Sequence, residues 1–425
     1  MLNKLFLLTA ILCLAQPGFA QVELMIDGEI RRFNAAQYDS IRQVWAAISK
    51  ENKLADAKAR LAKAEKMDRS VEYLNLSDLG IKKLPSFLKE FHSLKRLEVR
   101  GNELRKLPKK MLKQVEYLDL SDNPISASRF RFKMNRSVKN LQLDNNQLEK
   151  LPRSIKRLKN LRVISLQENY FTRFPERAAK VKLLVSADLS LNPINPILKI
   201  KRPSLSLTTI ILNKCNLNQF PVALFQMPQL ENIQLNRNKI SSFPENMDVF
   251  TNLTRITAYI NEITSIPAAF YRLEKLEIAD LYFNKIKVVG PAIKQMKNLN
   301  ILYLSNNELY SLPEEIGELQ NLEMLFLHHN KLSYLPTSID KLINLEVIHI
   351  NHNRFQEFPS QILSLKKLRD LDFSNNDITD LPYKITELDK LSLLFIQQNP
   401  YDEEARETLE SMITFYNGKD VSFNY

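Results

Sequence analysis

The sequence predicts a single α/β solenoid in which parallel strands form a curved sheet on the concave face. Three observations predict it: a 23-residue period runs through most of the 425 residues, each copy contains an alternating L-x-L, and Asn recurs at one position. Successive side chains of a strand point to opposite faces, so the paired leucines enter the core and their neighbours face outward. One short copy cannot bury its apolar face alone, so the copies must stack into one continuous core.

The repeat is most regular towards the end of the chain. The copy from Leu299 reads LNILYLSNNELYSLPEEIGELQN, and the copies from Leu322 and Leu345 also fit L-x-x-L-x-L-x-x-N-x-L-x-x-L-P-x-x-I-x-x-L-x-x. All steps between copies are 23 residues except one of 21, from Asn102 to Asn123. The 15 residues at the Asn position are Leu79, Asn102, Asn123, Asn146, Asn169, Asn192, Cys215, Asn238, Asn261, Asn284, Asn307, Asn330, Asn353, Asn376 and Asn399.

This pattern, over residues 71–401, resembles the leucine-rich repeat family. Its LPxxIxxLxx half is similar to the variety found in intracellular Ras-group proteins and in many bacterial exported proteins. The resemblance implies a horseshoe-shaped solenoid that acts as a binding scaffold. The Cys-rich flanking modules of animal extracellular members are absent, which favours a bacterial source.

The recurring Asn has a structural explanation. It follows the strand, where its amide reaches backbone groups of the neighbouring turn that need hydrogen-bond partners once buried. Cys215 occupies the same register, and we expect a small buried substitute there rather than a nucleophile. Leu79 breaks the series at its first copy, as is typical of a terminal repeat.

Residues 1–20 are predicted to be a signal peptide. Lys4 precedes the apolar stretch LFLLTAILCLA, and the small residues Gly18 and Ala20 stand at −3 and −1 of a cleavage site after Ala20. The apolar stretch is shorter than the roughly 18 residues that span a membrane, and no later stretch reaches that length. Lipid attachment at Cys13 is the alternative. The mature chain is therefore expected to be exported, whether secreted, periplasmic or at the cell surface.

Both ends of the repeat array are predicted to carry caps. Residues 21–70 contain an Asp27-Gly28 hairpin signal, a helix starting at Asn34 and a second helix at 55–67. Residues 402–425 contain a helix from Asp402 to about Tyr416. Three copies depart from the LP pattern, at 126–137, 195–206 and 288–298, where we expect the convex side to bend or bulge. Proline residues at 193, 196 and 203 argue against a helix in the second of these.

Composition excludes several classes of site. The 7 Gly are scattered, which excludes a Gly-rich phosphate loop, and the 2 Cys exclude both a disulfide-rich scaffold and a Cys-based zinc site. The net charge of +12 is uneven, because residues 71–225 hold 30 Lys and Arg against 13 Asp and Glu, whereas residues 226–425 hold 19 against 27. The solenoid is therefore expected to have a basic half and an acidic half.

Aromatic and apolar side chains gather at the outward strand positions of the later copies. A solvated sheet face does not need such residues for stability, and an exposed apolar patch usually marks a contact surface. The alternative is that these side chains merely pack on one another along the sheet. The candidate ligand-binding residues are Tyr259, Ile278, Tyr282, Tyr303, Met324, Phe326, His328 and His349.

Four of the five His residues, His328, His329, His349 and His352, fall within 25 residues of sequence. In register, His329 and His352 are neighbours on adjacent strands, and His328 and His349 are diagonal neighbours. Such a cluster either holds a transition metal or forms a polar rim, and we favour the rim, with no metal or other cofactor. No carboxylate in the same columns is clearly placed as a further ligand. Asp280, Asp370 and Asp372 are expected to be exposed carboxylates without an evident pocket.

The sequence thus predicts a binding protein rather than an enzyme. No flanking segment is long enough for a catalytic domain, and the one mature thiol is expected to be buried. The first functional hypothesis is protein–protein recognition through the concave face. The alternative is binding of an anionic glycan, lipopolysaccharide or another acidic surface by the basic half. Nucleic acid is not expected as a partner, because no aromatic stacking platform interleaves the charges.

Overall fold

The computed structural model describes residues 21–26, 29–34, 51, 53–105, 114–128, 131–132, 135–201 and 203–425, with backbone only for the first two ranges. Strands β1 (Gln21–Ile26) and β2 (Glu29–Asn34) pair antiparallel, with Ile26 opposite Glu29. The turn at residues 27–28 and the helix expected after Asn34 lie outside the described residues. Residues 53–65 form helix α1, close to the predicted 55–67.

The described part of the solenoid is one unclosed parallel sheet of sixteen strands in sequence order. Each strand is three residues long, and its central residue points into the core. The strands are β3 (Tyr73–Asn75), β4 (Arg96–Glu98), β5 (Tyr117–Asp119), β6 (Asn140–Gln142), β7 (Val163–Ser165), β8 (Ser186–Asp188), β9 (Thr209–Ile211), β10 (Asn232–Gln234), β11 (Arg255–Thr257), β12 (Ile278–Asp280), β13 (Ile301–Tyr303), β14 (Met324–Phe326), β15 (Val347–His349), β16 (Asp370–Asp372), β17 (Leu393–Phe395) and β18 (Ser422–Asn424).

The second half of most copies forms a short 3₁₀ helix that returns the chain to the next strand. Proline usually precedes the helix, because its fixed φ suits the entry and its missing N–H needs no partner there. These helices are Ser86–Lys89, Arg153–Arg157, Glu176–Lys180, Val222–Gln226, Met247–Val249, Pro291–Gln295, Glu314–Glu318, Thr337–Lys341, Ser360–Ser364 and Tyr383–Glu387, and Ala268–Tyr271 (α2) is a short α-helix at the same place.

The bend or bulge expected at 126–137 falls partly outside the described residues, and the other two irregular copies differ from each other. Residues 195–201 and 203–206 contain no helix, as the prolines predict. The bulge expected at 288–298 is wrong, because Pro291–Gln295 forms the usual 3₁₀ helix. Gly290 adopts φ −79° and ψ 157°, the conformation that Pro313 has at the same place in the next copy, and Val289 is buried where other copies have Leu.

Hydrogen bonds from the recurring Asn connect each coil to its neighbours. Asn307 is representative: its side-chain oxygen accepts from the backbone N–H of Ile286 at 2.9 Å, and its amide donates to the carbonyls of Leu281 and Leu304 at 3.0 Å each. The residue before the ladder position has left-handed φ, 53° at Asn306, which turns the chain sharply after the strand. The ladder therefore satisfies buried backbone groups that the three-residue strands leave unpaired.

The C-terminal segment covers the last repeat. Helix α3 (Glu403–Tyr416) begins after Asp402, whose carboxylate accepts the N–H of Ala405 at 2.8 Å, and Met412 and Tyr416 are buried. The chain then adds β18 beside β17, a pairing that the sequence analysis did not anticipate. None of the helices in the described part of the chain has the length and hydrophobicity that a membrane-spanning helix requires.

Candidate docking surface on the concave sheet

All eight candidate residues lie on the outward face of β11–β15 or directly after those strands, and each is half-buried. We call this set the docking surface. Parallel register sets Ile301 beside Met324 and Tyr303 beside Phe326, so the residues form columns across neighbouring strands. The half-burial arises because each outward side chain leans on those of the strands beside it.

An aromatic stack forms the middle of the docking surface. The rings of Tyr303 and Phe326 lie 4.6 Å apart between centroids with an interplanar angle of 4°. His349 meets the Phe326 ring edge-on at 5.1 Å. Burial raises the pKa of Tyr303, and the nearby carboxylate of Asp280 raises it further. Stacked and edge-to-face contacts are favourable for aromatic pairs, so the three rings support one another while each keeps part of its surface exposed.

The other predicted residues surround this stack. Tyr282 approaches the ring of His328 at 6.5 Å, and His328 approaches His349 at 6.1 Å. Tyr259, Ile278 and Met324 add partly exposed surface without taking part in these ring contacts. The exposed Phe283, 5.8 Å from Tyr282, extends the apolar area and was missed because it occupies the turn position before Asn284 rather than a strand column.

The His residues form a connected cluster. His329 and His352 stack at 3.9 Å between centroids, since both occupy the left-handed turn position with φ 53°. Burial and the charges of the other three His residues lower the pKa of His328 to about 4. The ring of His328 shares a 2.9 Å hydrogen bond with the hydroxyl of Ser305. His328 is therefore uncharged at neutral pH.

One predicted feature of the cluster is wrong. Asp370 and Asp372 are half-buried rather than exposed, as is Asp280, and a carboxylate oxygen of Asp370 lies 3.1 Å from Nε2 of His349. Burial raises the pKa of Asp280 and of Asp372. The diagonal relation between β15 and β16 was the signal available in the sequence, because Asp370 pairs with Val347 and so lies obliquely across from His349.

The cluster does not converge on a common centre. Within the described residues, no group of three or more His, Cys, Asp or Glu side chains has metal-binding geometry. The Ser305–His328 pair resembles part of a nucleophile–base arrangement, but the Ser305 side chain is fully buried and faces no substrate space. Cys215 is buried as expected, and burial raises the pKa of its thiol to about 11, which disfavours the reactive thiolate.

The fold, the Asn ladder and the open concave face define the class of protein: a solenoid that presents a preformed surface. The leucine-rich repeat family model matches residues 274–332, 297–355 and 343–400. The matched repeats span residues 274–400, and the parallel sheet continues with the same kind of coil on either side of them. Sequence comparison with curated proteins gives no significant match.

Solved structures with the same fold include bacterial and plant proteins. A leucine-rich repeat protein of Leptospira interrogans is 26% identical, with a TM-score of 0.66, covering 86% of this chain and 98% of its own. An internalin of Listeria monocytogenes is 19% identical, with a TM-score of 0.52, covering 79% and 88%. The ectodomain of the Arabidopsis thaliana receptor kinase GASSHO1/SCHENGEN3 is 21% identical, with a TM-score of 0.54, covering 77% of this chain and 47% of the receptor chain.

Proposed function

We propose that this protein is exported and recognises a protein ligand through its docking surface, without catalysing a reaction. Leucine-rich repeat proteins generally act in protein–protein recognition, and the Arabidopsis ectodomain was solved in complex with Casparian strip integrity factor 2. The proposal rests on one observation, the parallel stack of Tyr303 and Phe326 on an otherwise open sheet. Export rests on residues 1–20, and finding Gln21 at the N-terminus of protein recovered outside the cytoplasm is the direct check.

A rigid aromatic stack suits protein recognition for an energetic reason. Tyr and Phe side chains provide a large apolar area, and the sheet holds these rings in place before a ligand arrives. Little conformational entropy is then lost on binding, so more of the contact energy appears as affinity. The polar residues beside the stack are also held in place before binding, because Nε2 of His349 lies 3.1 Å from a carboxylate oxygen of Asp370.

The decisive experiment compares proteins captured by the immobilised mature chain and by the double variant Tyr303→Ala/Phe326→Ala. Aromatic hot spots typically contribute about 2 kcal/mol or more each, so we expect captured ligand to bind at least about tenfold more weakly to the variant. Binding is measured by surface plasmon resonance with the captured protein.

The matched control is Tyr310→Ala/Tyr334→Ala, which removes two exposed aromatic rings outside the strand columns. This control should retain wild-type affinity, and circular dichroism should show that both variants are folded. Equal weakening by the two double variants, or full binding by Tyr303→Ala/Phe326→Ala, would contradict recognition through the docking surface.

A further inference from the structure

The basic half contains an open depression of about 410 Å³ that lies away from the docking surface. Three consecutive repeats contribute to it: residues 127, 128 and 131 come from the first, and Arg177 in the 3₁₀ helix Glu176–Lys180 comes from the third. Six of its nine lining residues are basic, and the other three are Ala127, Ser128 and Ser154. We call it the basic depression, and its cations are Arg131, Lys150, Arg153, Lys156, Arg157 and Arg177.

The irregular repeat supplies small residues where its neighbour has large ones. In register, Ser128 stands where the next copy has Leu151, which is buried against the core. The hydroxyl of Ser154 accepts the backbone N–H of Phe132 at 2.8 Å, so the edge of this segment is tied to the following helix. Small side chains at 127 and 128 leave room at the surface into which the basic side chains project.

The charge in the basic depression is not neutralised by ion pairs with the described carboxylates. Within the described part of the chain, none of the six cations forms an ion pair with a carboxylate. Glu149 and Glu176 border the adjoining groove but pair with none of them. Like charges gathered in a concavity raise the local potential and attract anions, and an anion bound between them would relieve their repulsion.

Two of the guanidinium groups are held in position by backbone carbonyls. Arg157 donates from Nη1 to the carbonyl oxygen of Phe132 at 3.2 Å, and Arg177 donates from Nη1 to that of Leu151. Each guanidinium has further N–H donors in a planar fork, which matches the oxygens of a phosphate or sulfate group. The anchoring bonds mean that less side-chain entropy is lost when such a group binds.

We propose that the basic depression binds a ligand that carries several phosphate or sulfate groups. Six cations around one concavity match more than one oxyanion, so a ligand with closely spaced groups fits better than a single ion. A single-stranded nucleic acid fits less well, because none of the described lining residues carries an aromatic ring on which a base could stack. This function is independent of the docking surface.

The test uses inorganic tripolyphosphate as the probe and isothermal titration calorimetry with the mature chain. We expect one molecule to bind per chain and the affinity to fall steeply as the salt concentration rises. The double variant Arg153→Glu/Lys156→Glu should bind at least tenfold more weakly. Both positions are exposed, so the fold should be retained, and a thermal melt checks this.

The matched control is Lys83→Glu/Lys89→Glu, which makes the same change in net charge elsewhere in the basic half, also at exposed positions. It should weaken binding less than about threefold at 0.1 M salt, because neither lysine lines the basic depression and exposed charges are screened over a Debye length of about 10 Å. Equal weakening in both variants would overturn the proposal, since binding would then reflect overall charge rather than the basic depression. Absence of tripolyphosphate binding at low salt would overturn it equally.

A second arm distinguishes a soluble ligand from a lipid headgroup. Co-sedimentation with phosphatidylglycerol vesicles, sensitive to Arg153→Glu/Lys156→Glu, would identify the oxyanions as headgroup phosphates, whereas tripolyphosphate binding alone would identify a soluble ligand. A single-stranded DNA probe that binds more tightly than tripolyphosphate would overturn the exclusion of nucleic acid. Tyr303→Ala/Phe326→Ala should leave all these results unchanged, so failure here and failure of the concave-face proposal are distinguishable.

Discussion

At the scale of single residues, the repeat tolerates substitutions that keep the size and polarity its positions need. Cys215 replaces Asn in the ladder and still donates from Sγ to the carbonyl of Leu189 at 3.3 Å. It lacks the amide oxygen, so the N–H of Ile194 bonds only to the carbonyl of Asn192, at 2.8 Å. The equivalent N–H of Ile125 bonds both a carbonyl and a ladder Asn. The repeat therefore tolerates the missing side-chain acceptor at Cys215, because the N–H of Ile194 keeps its hydrogen bond to the backbone carbonyl of Asn192.

His328 should make the stability depend on pH. Its folded-state pKa of about 4 lies below the unfolded value of 6.5, so the unfolded chain gains a proton in this window and the folded chain does not. Stability should therefore fall as the pH falls from about 6.5 to about 4 and level off below. Because His328 is partly exposed, we expect the free energy of unfolding to fall by no more than about 2 kcal/mol over this range. Urea denaturation at a series of pH values measures it.

The variant His328→Asn should flatten this dependence, since Asn can still bond to Ser305 but does not titrate. The half-buried carboxylates Asp280 and Asp372 titrate in both proteins, so the difference between the two pH profiles isolates His328. The exposed His92 lies outside the cluster, and His92→Asn serves as the control. Identical profiles for wild type and His328→Asn would show that the pKa of His328 is not lowered.

At the scale of elements, a coil is stabilised mostly by the coils on either side. Three-residue strands are too short to be stable alone, and the 3₁₀ helices lack side-chain caps. Their stability comes from leucines buried between coils and from the Asn ladder, which bonds backbone groups of two successive coils. A terminal coil has a neighbour on one side only. At the C-terminus, α3 and β18 cover the exposed side of the last repeat.

Asn307→Ala should destabilise the protein by about 2–3 kcal/mol, because it leaves the buried N–H of Ile286 and the carbonyls of Leu281 and Leu304 without this partner. Equilibrium denaturation gives the value. Asn321→Ala is the matched control: Asn321 is exposed and its amide donates to a single carbonyl, that of Lys297. We expect Asn321→Ala to lower the free energy of unfolding by less than about 1 kcal/mol. Equal losses of stability in the two variants would refute the structural role of the ladder.

At the scale of the whole molecule, the solenoid keeps distant regions chemically separate. Contacts run mainly between successive coils. The basic part of the solenoid, residues 71–225, therefore stays separate from the acidic part, residues 226–425. The docking surface lies on β11–β15, whereas the basic depression lies between residues 127 and 177. Each surface can therefore be altered without the other.

This architecture predicts that a destabilising substitution in one coil mainly affects that coil and its nearest neighbours. Leu302, in the middle of β13, is buried, and Leu302→Ala should cost about 2–5 kcal/mol through the cavity that it leaves. Hydrogen exchange should show the greatest loss of amide protection in β12–β14 and progressively smaller losses towards β3 and β18. A uniform loss along the sheet would show instead that the solenoid unfolds as one cooperative unit.

The sequence by itself determined the repeat, the parallel sheet, its register and the faces of its side chains. This was possible because a fixed period repeats the same turn, so positions such as Tyr303 and Phe326 must lie side by side on adjacent strands. The same reasoning put Cys215 in the buried ladder. It erred at 288–298, where Gly290 and Val289 replace Pro and Leu without changing the backbone.

Only the tertiary structure decided which side chains meet and where space remains between coils. The parallel stack of Tyr303 on Phe326 and the approach of Asp370 to His349 depend on side-chain rotamers, which the period does not set. The pairing of β18 with β17 depends on how the chain returns after α3. The basic depression requires three coils to be placed together around small residues, and that packing geometry belongs to no single repeat.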